Sequence, residues 1–410
     1  MDTNVSYPPS LAELRRKSNV FVDICEKYVV GSREAAIMAL TALIIKQHLL
    51  IEGLPGKGKT RFTKVLARAF GGTYWATQAT PDTKPSAFRG YVVFHEGKFR
   101  VVRPPLGSCN LVLVDELNRT PPPTQNGLLQ VTADGEVTAI LQDVNPEDIT
   151  PEMYTFPVPP IFTVVATQNP YDQEGTYPLT DAMVDRFVFK LSNFGQLTRQ
   201  QREHLNSNPA LSHNDILSEV PQVISIDEIL EMRRRARELP ISPRMVAFAD
   251  WFFQCTIPGS AEMIKLGNDA PWIRPLLLAI KSGVESNRAR SWLLQASCAA
   301  ALFFPEPGVG SPTGFVTPTH FLNLARYVVP QRMLVHPQAA HRRDSRIGDW
   351  QAMVENANLG SWQDAGDPKS QQAAIVKHIA QNRPITPDLI CAAIGACLDP
   401  TTLDSARYRL

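Results

Sequence analysis

The residues with the most specific chemistry lie in Gly53-Leu-Pro-Gly-Lys-Gly-Lys-Thr60. A glycine, four intervening residues and then Gly-Lys-Thr suit a loop whose backbone N–H groups curl around a phosphate chain. Lys59 is placed to reach the β- and γ-phosphates of ATP, and the Thr60 hydroxyl to ligate Mg²⁺. Gly53, Pro55, Gly56, Lys57, Gly58, Lys59, Thr60 and Arg61 are therefore the expected nucleotide-binding residues. Downstream, Leu111-Val-Leu-Val-Asp115-Glu116 ends an unbroken apolar run on two carboxylates. Asp115 would help Thr60 hold Mg²⁺, through the ion's water shell, and Glu116 would polarise an attacking water. ATP and Mg²⁺ are thus the expected cofactors.

Such groups work only where a strand delivers the loop and a helix begins directly after it. His48–Glu52 reads as that strand, and Thr60–Phe70 as the helix, closed by Gly71-Gly72. Further β-rich runs cover Thr73–Thr77, Asn110–Asp115, Ile161–Thr167 and Phe187–Lys190. The alternation from about 30 to 190 predicts an α/β core, a mostly parallel sheet covered by helices. After residue 195 the β-rich runs stop. Ser225-Ile-Asp-Glu228 has the form of a capping box opening a helix through Leu239. Helical patterns follow at about 243–256, 272–283, 288–304 and 318–333, the last entered through Thr317-Pro318. The expected organisation is an N-terminal segment (1–27), the α/β core (28–195), a linker (196–224), an all-helical lid (225–336) and a mainly helical C-terminal extension (337–410).

Composition narrows the classes. The chain has 410 residues, 44% apolar and 20% charged, with a formal charge of +1. That balance fits folded domains, and it provides no global positive field to recruit nucleic acid. Cys25, Cys109, Cys255, Cys298, Cys391 and Cys397 form no C-x-x-C pair, so buried thiols are expected rather than zinc. The first residues lack the regions of a signal peptide, and the longest apolar stretch, Ala35–Ile45, is too short to span a bilayer. No membrane insertion and a cytoplasmic location are the expectations.

The run Val114-Asp-Glu-Leu-Asn-Arg-Thr-Pro-Pro-Pro-Thr-Gln125 resembles a signature of the MoxR-type AAA+ ATPases. Ala166-Thr-Gln-Asn-Pro170 and Gln173-Glu-Gly-Thr-Tyr-Pro178 are similar to a second signature, and Thr80-Pro-Asp82, Pro85-Ser86 and Gly90 fit the segment between. The resemblance covers about residues 28–336. It implies an AAA+ core and helical lid, and a homo-oligomeric ring, usually hexameric, with ATP between subunits. Asn169 then matches the sensor-1 residue that orients the lytic water, and Arg186 the arginine finger reaching into a neighbour's site. Thr180-Asp-Ala-Met-Val184 departs from the family's Pro-Glu-Ala-Gln-Leu just before that arginine. For the sensor-2 arginine there are two candidates. Arg244 sits in the literal Ser-Pro-Arg string, but order along the chain favours Arg288, ahead of the helix that leads to Phe315-Val-Thr-Pro318. The resemblance also implies chaperone-like activation of a protein client, often one with a von Willebrand factor A domain.

Other features carry two readings each. Tyr91–Arg100 reads as a hairpin turning at Glu96-Gly97, at the family's helix-2 insert. Phe94, Lys98 and Phe99 either contact a substrate or pack the hairpin. The 136–160 excursion reads as an enlarged hairpin or loop. Arg233-Arg-Arg235 is expected as a solvated helix face, with an anion or nucleic-acid contact as the alternative. Two rivals to the client remodeller stand: a nucleic-acid-dependent motor, and a slowly hydrolysing nucleotide-gated scaffold.

Overall fold

A computed structural model describes residues 8–335 with breaks at 55, 97, 143, 146–147, 170–174, 193, 209–213, 271–272 and 306–311, and five positions between Ile390 and Cys397. The rest of the 337–410 extension, and with it the helices expected there, lies outside the described residues. Contacts divide the chain into two compact units, Met1–Arg235 and Ala236–Leu410.

The first unit opens on α1 (Leu11–Tyr28) and α2 (Arg33–Ile45). Leu14, Ser18, Phe21, Val22 and Cys25 form one buried stripe of α1, at helical spacing. Ser10 caps that helix by accepting from Glu13 N–H. Residues Leu11–Tyr28 therefore pack within this unit, against α2 and the helix that follows the phosphate loop. Next come β1 (His48–Glu52), α3 (Lys59–Ala69), β2 (Tyr74–Gln78), α4 (Ser86–Arg89), β3 (Tyr91–His95) and β4 (Lys98–Val102). They are followed by β5 (Leu111–Asp115), α5 (Pro122–Asp134), β6 (Glu136–Thr138), β7 (Ile140–Leu141), α6 (Pro151–Tyr154) and β8 (Thr155–Pro157). β9 (Thr163–Gln168), α7 (Asp181–Val184), β10 (Phe187–Leu191), α8 (Arg199–Ser207) and α9 (Ile226–Glu238) complete the series.

Five strands make the central sheet in the order β10-β1-β9-β5-β2, all parallel. β1 and β5 lie inside it and are buried along nearly their whole length, as the unbroken apolar run of β5 requires. Leu50, Val112, Val114, Val164 and Ala166 pack with Phe88, Leu128, Val131 and Phe187 into one core cluster. Parallel strands put all five C-terminal ends on one edge, the edge at which α/β sheets bind ligands.

β3 and β4 form the expected hairpin, with Phe94 opposite Phe99 and Glu96 at a positive φ of 52° in the turn. The 136–160 excursion proves to be a second hairpin, β6 against β8, that lends β7 to the free side of β3. Val92, Ala139 and Ile149 make a small core under this three-stranded sheet, and Phe99 packs against it. Phe99 therefore packs the hairpin, whereas Phe94 is 57% exposed.

The Arg233–Arg235 triplet departs from the expected solvated face. Arg233 is buried and donates to three carbonyls: Leu43 O at 2.9 Å, Ile44 O at 2.9 Å and Pro160 O at 2.8 Å. Two of these are last-turn carbonyls of α2, which a helix leaves without internal partners. Arg234 and Arg235 pair with Glu231 on the same helix, and those hydrogen bonds hold its carboxyl down at about 2. The Ser225–Glu228 capping box forms as expected, with both reciprocal bonds.

The second unit holds α10 (Pro243–Gln254), α11 (Ala261–Asp269), α12 (Arg274–Leu278), β11 (Ile280–Ser282), α13 (Asn287–Phe303), α14 (Pro318–Val328) and β12 (Leu334–Val335). Among its described residues the regular elements are helical apart from the antiparallel pair β11–β12. The helix expected over 272–283 is replaced by α12 and β11. α11, which periodicity alone did not reveal, is capped by Ser260, whose hydroxyl accepts from Met263 N–H. Gly283 follows β11 where a Cβ would lie 2.1 Å from Thr256 O, an approach only glycine permits. The helix expected over 318–333 stops at Val328 because Pro330 begins a 3-10 turn.

Candidate functional site

The phosphate loop leaves β1 at its C-terminal end. Gly53 N–H donates to Gln168 O of β9 at 3.3 Å, and a Cβ on Gly53 would stand 3.0 Å from Phe194 O. Gly56 and Gly58 have φ of 76° and 82°, the left-handed conformation that a tight phosphate loop demands. A Cβ on Gly56 would meet nothing within 4 Å, so the loop's outer side is open to a ligand. α3 begins at Lys59 with Gly58 as N-cap, no side-chain cap and no acidic residue in its first turn. Its N-terminal N–H groups thus face no competing anion from the chain's own first turn. Lys59 is buried and donates to Gly53 O at 2.7 Å and Leu54 O at 3.1 Å. Burial lowers its pKa, and Asp115 and Glu116 oppose that shift, so the ammonium is held in a partly dry, acidic corner. Lys57 is exposed, Arg61 is half-buried with its pKa lowered by burial, and Pro55 lies outside the described residues.

The two carboxylates arrive from β5. Thr60 Oγ1 donates to Asp115 Oδ2 at 3.0 Å, which joins the two expected metal ligands directly. Thr167 of β9 donates to Asp115 Oδ1 and accepts from Glu116 N–H at 3.0 Å. Thr167 therefore fixes both members of the acidic pair, a role that the sequence reading did not assign. Glu116 has φ 58° and ψ 44°, so the chain turns sharply as it leaves the strand. Among the described residues no group of three His, Cys, Asp or Glu side chains could hold a metal. A hydroxyl beside one carboxylate is instead the sparse protein share that suits Mg²⁺, whose remaining ligands are waters and phosphate oxygens. Loop, helix terminus, Lys59, Thr60 and Asp115 thus fit a Mg²⁺–nucleotide.

The remaining candidates divide. Asn169 follows β9 directly, on the same sheet edge, and its carbonyl accepts from Asn118 at 3.4 Å. Arg186 precedes β10, whose first residue Phe187 stands opposite His48 at the start of β1. The phosphate loop leaves the other end of β1, about 16 Å away at ~3.3 Å per residue. Arg186 is close enough to His48 to help lower its pKa, behind the larger effect of burial. Arg186 therefore belongs to the edge of the sheet opposite the loop. Arg244 and Arg288 both lie in the second unit: Arg244 exposed in the first turn of α10, Arg288 in that of α13, 5.6 Å over the ring of Trp292.

One more segment shapes the loop. Phe194 N–H donates to Glu52 O at 3.2 Å, and the Phe194 ring lies 5.2 Å from that of Phe62. Gly195 has φ 78°, and a Cβ there would stand 2.6 Å from Lys57 Cβ. The chain after β10 thus braces the loop from behind. Its one signal in sequence is a glycine shortly past a strand, too common to single out.

Comparison with known proteins bears on this geometry. Residues 48–189 match the ATPase family associated with various cellular activities (AAA). The uncharacterized protein YeaC of Bacillus subtilis is 30% identical over 336 residues, 82% of this chain and 91% of that protein. The chaperone MoxR1 of Mycobacterium tuberculosis is 35% identical over 180 residues, 43% of this chain and 44% of its own. The chain belongs to the MoxR-type AAA+ ATPases. Protein MoxR of Methylorubrum extorquens is 27% identical over 198 residues, 47% of this chain and 54% of that protein. The crystal structure of a candidate ATPase from Cytophaga hutchinsonii superposes with a TM-score of 0.64 at 26% identity, over 80% of this chain and 90% of that one. Family membership carries nucleotide binding at the level of the AAA ATPases. Among the described residues of this MoxR-type protein, no helix is long and apolar enough to cross a membrane.

Proposed function

We propose that this MoxR-type protein binds Mg²⁺–ATP at the loop Gly53–Thr60, hydrolyses it, and uses the cycle to remodel a protein client. The observation that carries the reading is the convergence of Lys59, Thr60, Asp115 and Thr167 on one sheet edge, with Glu116 next to them. When bound, Mg²⁺ would neutralise phosphate charge and orient the terminal phosphate for in-line attack. Lys59 would leave the carbonyls of Gly53 and Leu54 for the β- and γ-phosphates. Glu116 would take a proton from the attacking water, and Asn169 would hold that water in line.

Arg186 supports a composite site. Its place at the far end of β1 keeps it from this chain's own loop, so it would serve the terminal phosphate bound by a neighbour in a homo-oligomeric, hexameric ring. Arg288 is the residue this reading carries as the sensor-2 arginine. A client of protein nature is favoured by the chaperone name of the Mycobacterium tuberculosis relative.

Complementation tests both parts of the reading. Lys59→Ala and Arg186→Ala proteins are each expected to hydrolyse ATP at under about a hundredth of the parent rate. An equimolar mixture should recover a substantial fraction, because Arg186→Ala loops then meet intact arginines on Lys59→Ala neighbours. A mixture as inactive as its components would sink the composite site. A Glu116→Gln protein that turns over ATP at the parent rate would sink the hydrolytic assignment.

A further inference from the structure

The segment that leads to Arg186 hangs from the turn after Glu116. That 3-10 turn, Leu117–Arg119, closes at Thr120, which is fully buried and donates from Oγ1 to Leu117 O at 2.7 Å. Two bonds then tie the turn and α5 to residues 177–180. Tyr177 N–H donates to Asn118 O at 2.6 Å, and Thr180 N–H donates to Gln125 Oε1 at 3.4 Å. From Thr180 onwards the backbone is bonded at each step. Met183 and Val184 N–H both donate to Thr180 O at 2.9 Å, and Arg186 N–H donates to Met183 O at 3.1 Å. Met183 is itself fully buried in the core cluster with Leu117 and Leu128. A change of direction at Thr180 is therefore passed through α7 to the arginine.

Gln125 is the member of this series that packing does not explain. It is an amide side chain with no exposed surface, carried by α5. Its Nε2 donates to Thr120 O at 3.1 Å while its Oε1 accepts from Thr180 N–H, so backbone groups engage both ends of the amide. Burying an amide is costly unless both ends are bonded, and methionine or leucine would fill the same space without that condition. Thr180 shows what the amide holds. It caps α7 at φ −64° and ψ 150°, and its hydroxyl accepts from Met183 N–H at 3.3 Å. That φ is the one to which a proline ring is locked, and Thr180 stands where the family's pattern has proline. A proline there needs no acceptor and cannot leave the conformation. A threonine can leave it, and here the bond to Gln125 and the hydroxyl cap hold it in place.

We propose that Gln125 is a positioning residue for Arg186: its amide keeps Thr180 in the conformation that a proline would impose, and so sets where this subunit presents the arginine to its neighbour. The inference rests on Arg186 acting on a nucleotide bound by an adjacent subunit. It makes one buried side chain of α5 a determinant of hydrolysis at the neighbour's site rather than at its own.

The test extends the complementation above, with full-length chains and ATP turnover as the readout. Lys59→Ala chains serve as arginine donors and Arg186→Ala chains as acceptors. Gln125→Met in the donor should lower the recovered rate about ten-fold, the scale of loss that a displacement of ~1 Å brings to a catalytic group. In the acceptor, whose own arginine is already gone, the same substitution should leave the recovered rate within about two-fold. Adding Thr180→Pro to the Gln125→Met donor should restore most of the loss, because the ring fixes φ and leaves no N–H to satisfy. A general defect of α5 would lower the rate in both placements and would not respond to proline. Equal loss in donor and acceptor, no loss in the donor, or a donor loss that Thr180→Pro fails to reverse would each overturn the proposal. Should Gln125→Met lose cooperative thermal unfolding, Gln125→Asn takes its place with the same expectations, since it withdraws the acceptor by one methylene and stays polar. No recovery in the control mixture of Lys59→Ala with Arg186→Ala would instead remove the composite site, and the positioning role with it.

Discussion

Replacing Arg233 by alanine should destabilise the protein far more than its place in a charged run suggests. The guanidinium sits 7% exposed and donates from Nε to Ile44 O, from one terminal nitrogen to Leu43 O and from the other to Pro160 O, all within 2.9 Å. It thereby ties α9 to the end of α2 and to the segment entering β9, and its charge opposes the negative end of the α2 dipole. Leu43 O also receives Lys46 N–H at 3.4 Å, so it keeps a partner when the arginine is lost. The Ile44 and Pro160 carbonyls lose their arginine, at about 1–3 kcal/mol each for a stranded buried acceptor. With the weakened third bond, the expected loss is about 4 kcal/mol, or a fall in Tm of about 8–16 °C. Arg234 provides the internal control. It is 53% exposed and bonded to Glu231, so Arg234→Ala should cost under about 0.5 kcal/mol. Urea titration and thermal scans of both variants check the pair of values. If Arg233→Ala cost under about 1 kcal/mol, or matched Arg234→Ala, the buried-carbonyl argument would be wrong.

Three further outcomes follow from the site and the core. Lys59→Ala should weaken ATP binding about 100-fold, by calorimetry, while leaving the nucleotide-free Tm unchanged or higher, since burial already disfavours the ammonium. Gly195→Ala should cost about 1–3 kcal/mol and raise the KM for ATP several-fold, because the new Cβ meets Lys57 at a positive φ. Gly259→Ala, with the same φ of 78° but nothing within 4 Å, should cost stability without moving KM. His48 is held neutral mainly by burial, which takes its pKa from 6.5 to about 4. The unfolded chain binds that proton first, so stability is retained above pH 6.5 and lost as pH falls from 6.5 to 4, by about 3 kcal/mol in total. In His48→Gln that part of the slope in urea-unfolding stability against pH should disappear.

Sequence alone determined the chemistry that is local in the chain. Gly53–Thr60, Leu111–Glu116 and the capping box at Ser225 depend on neighbouring residues and short-range backbone geometry. Each is found in the element its pattern predicted. The α1 stripe at Leu14, Ser18, Phe21, Val22 and Cys25 is equally legible, because its spacing is local to one helix. Tertiary structure decided what depends on residues distant in sequence. Thr167 meets Asp115 only because β9 and β5 are neighbours in the sheet. Gly195 matters only because the chain after β10 returns beneath Lys57. Arg233 turned from a solvated charge into a buried clamp because the end of α2 left two carbonyls within its reach. Glu116 shows both sides of the division. Its position after an apolar strand marks it as a candidate base, while the left-handed turn that closes Arg119 onto it and the pairing that supplies Gln78 exist only in the folded sheet.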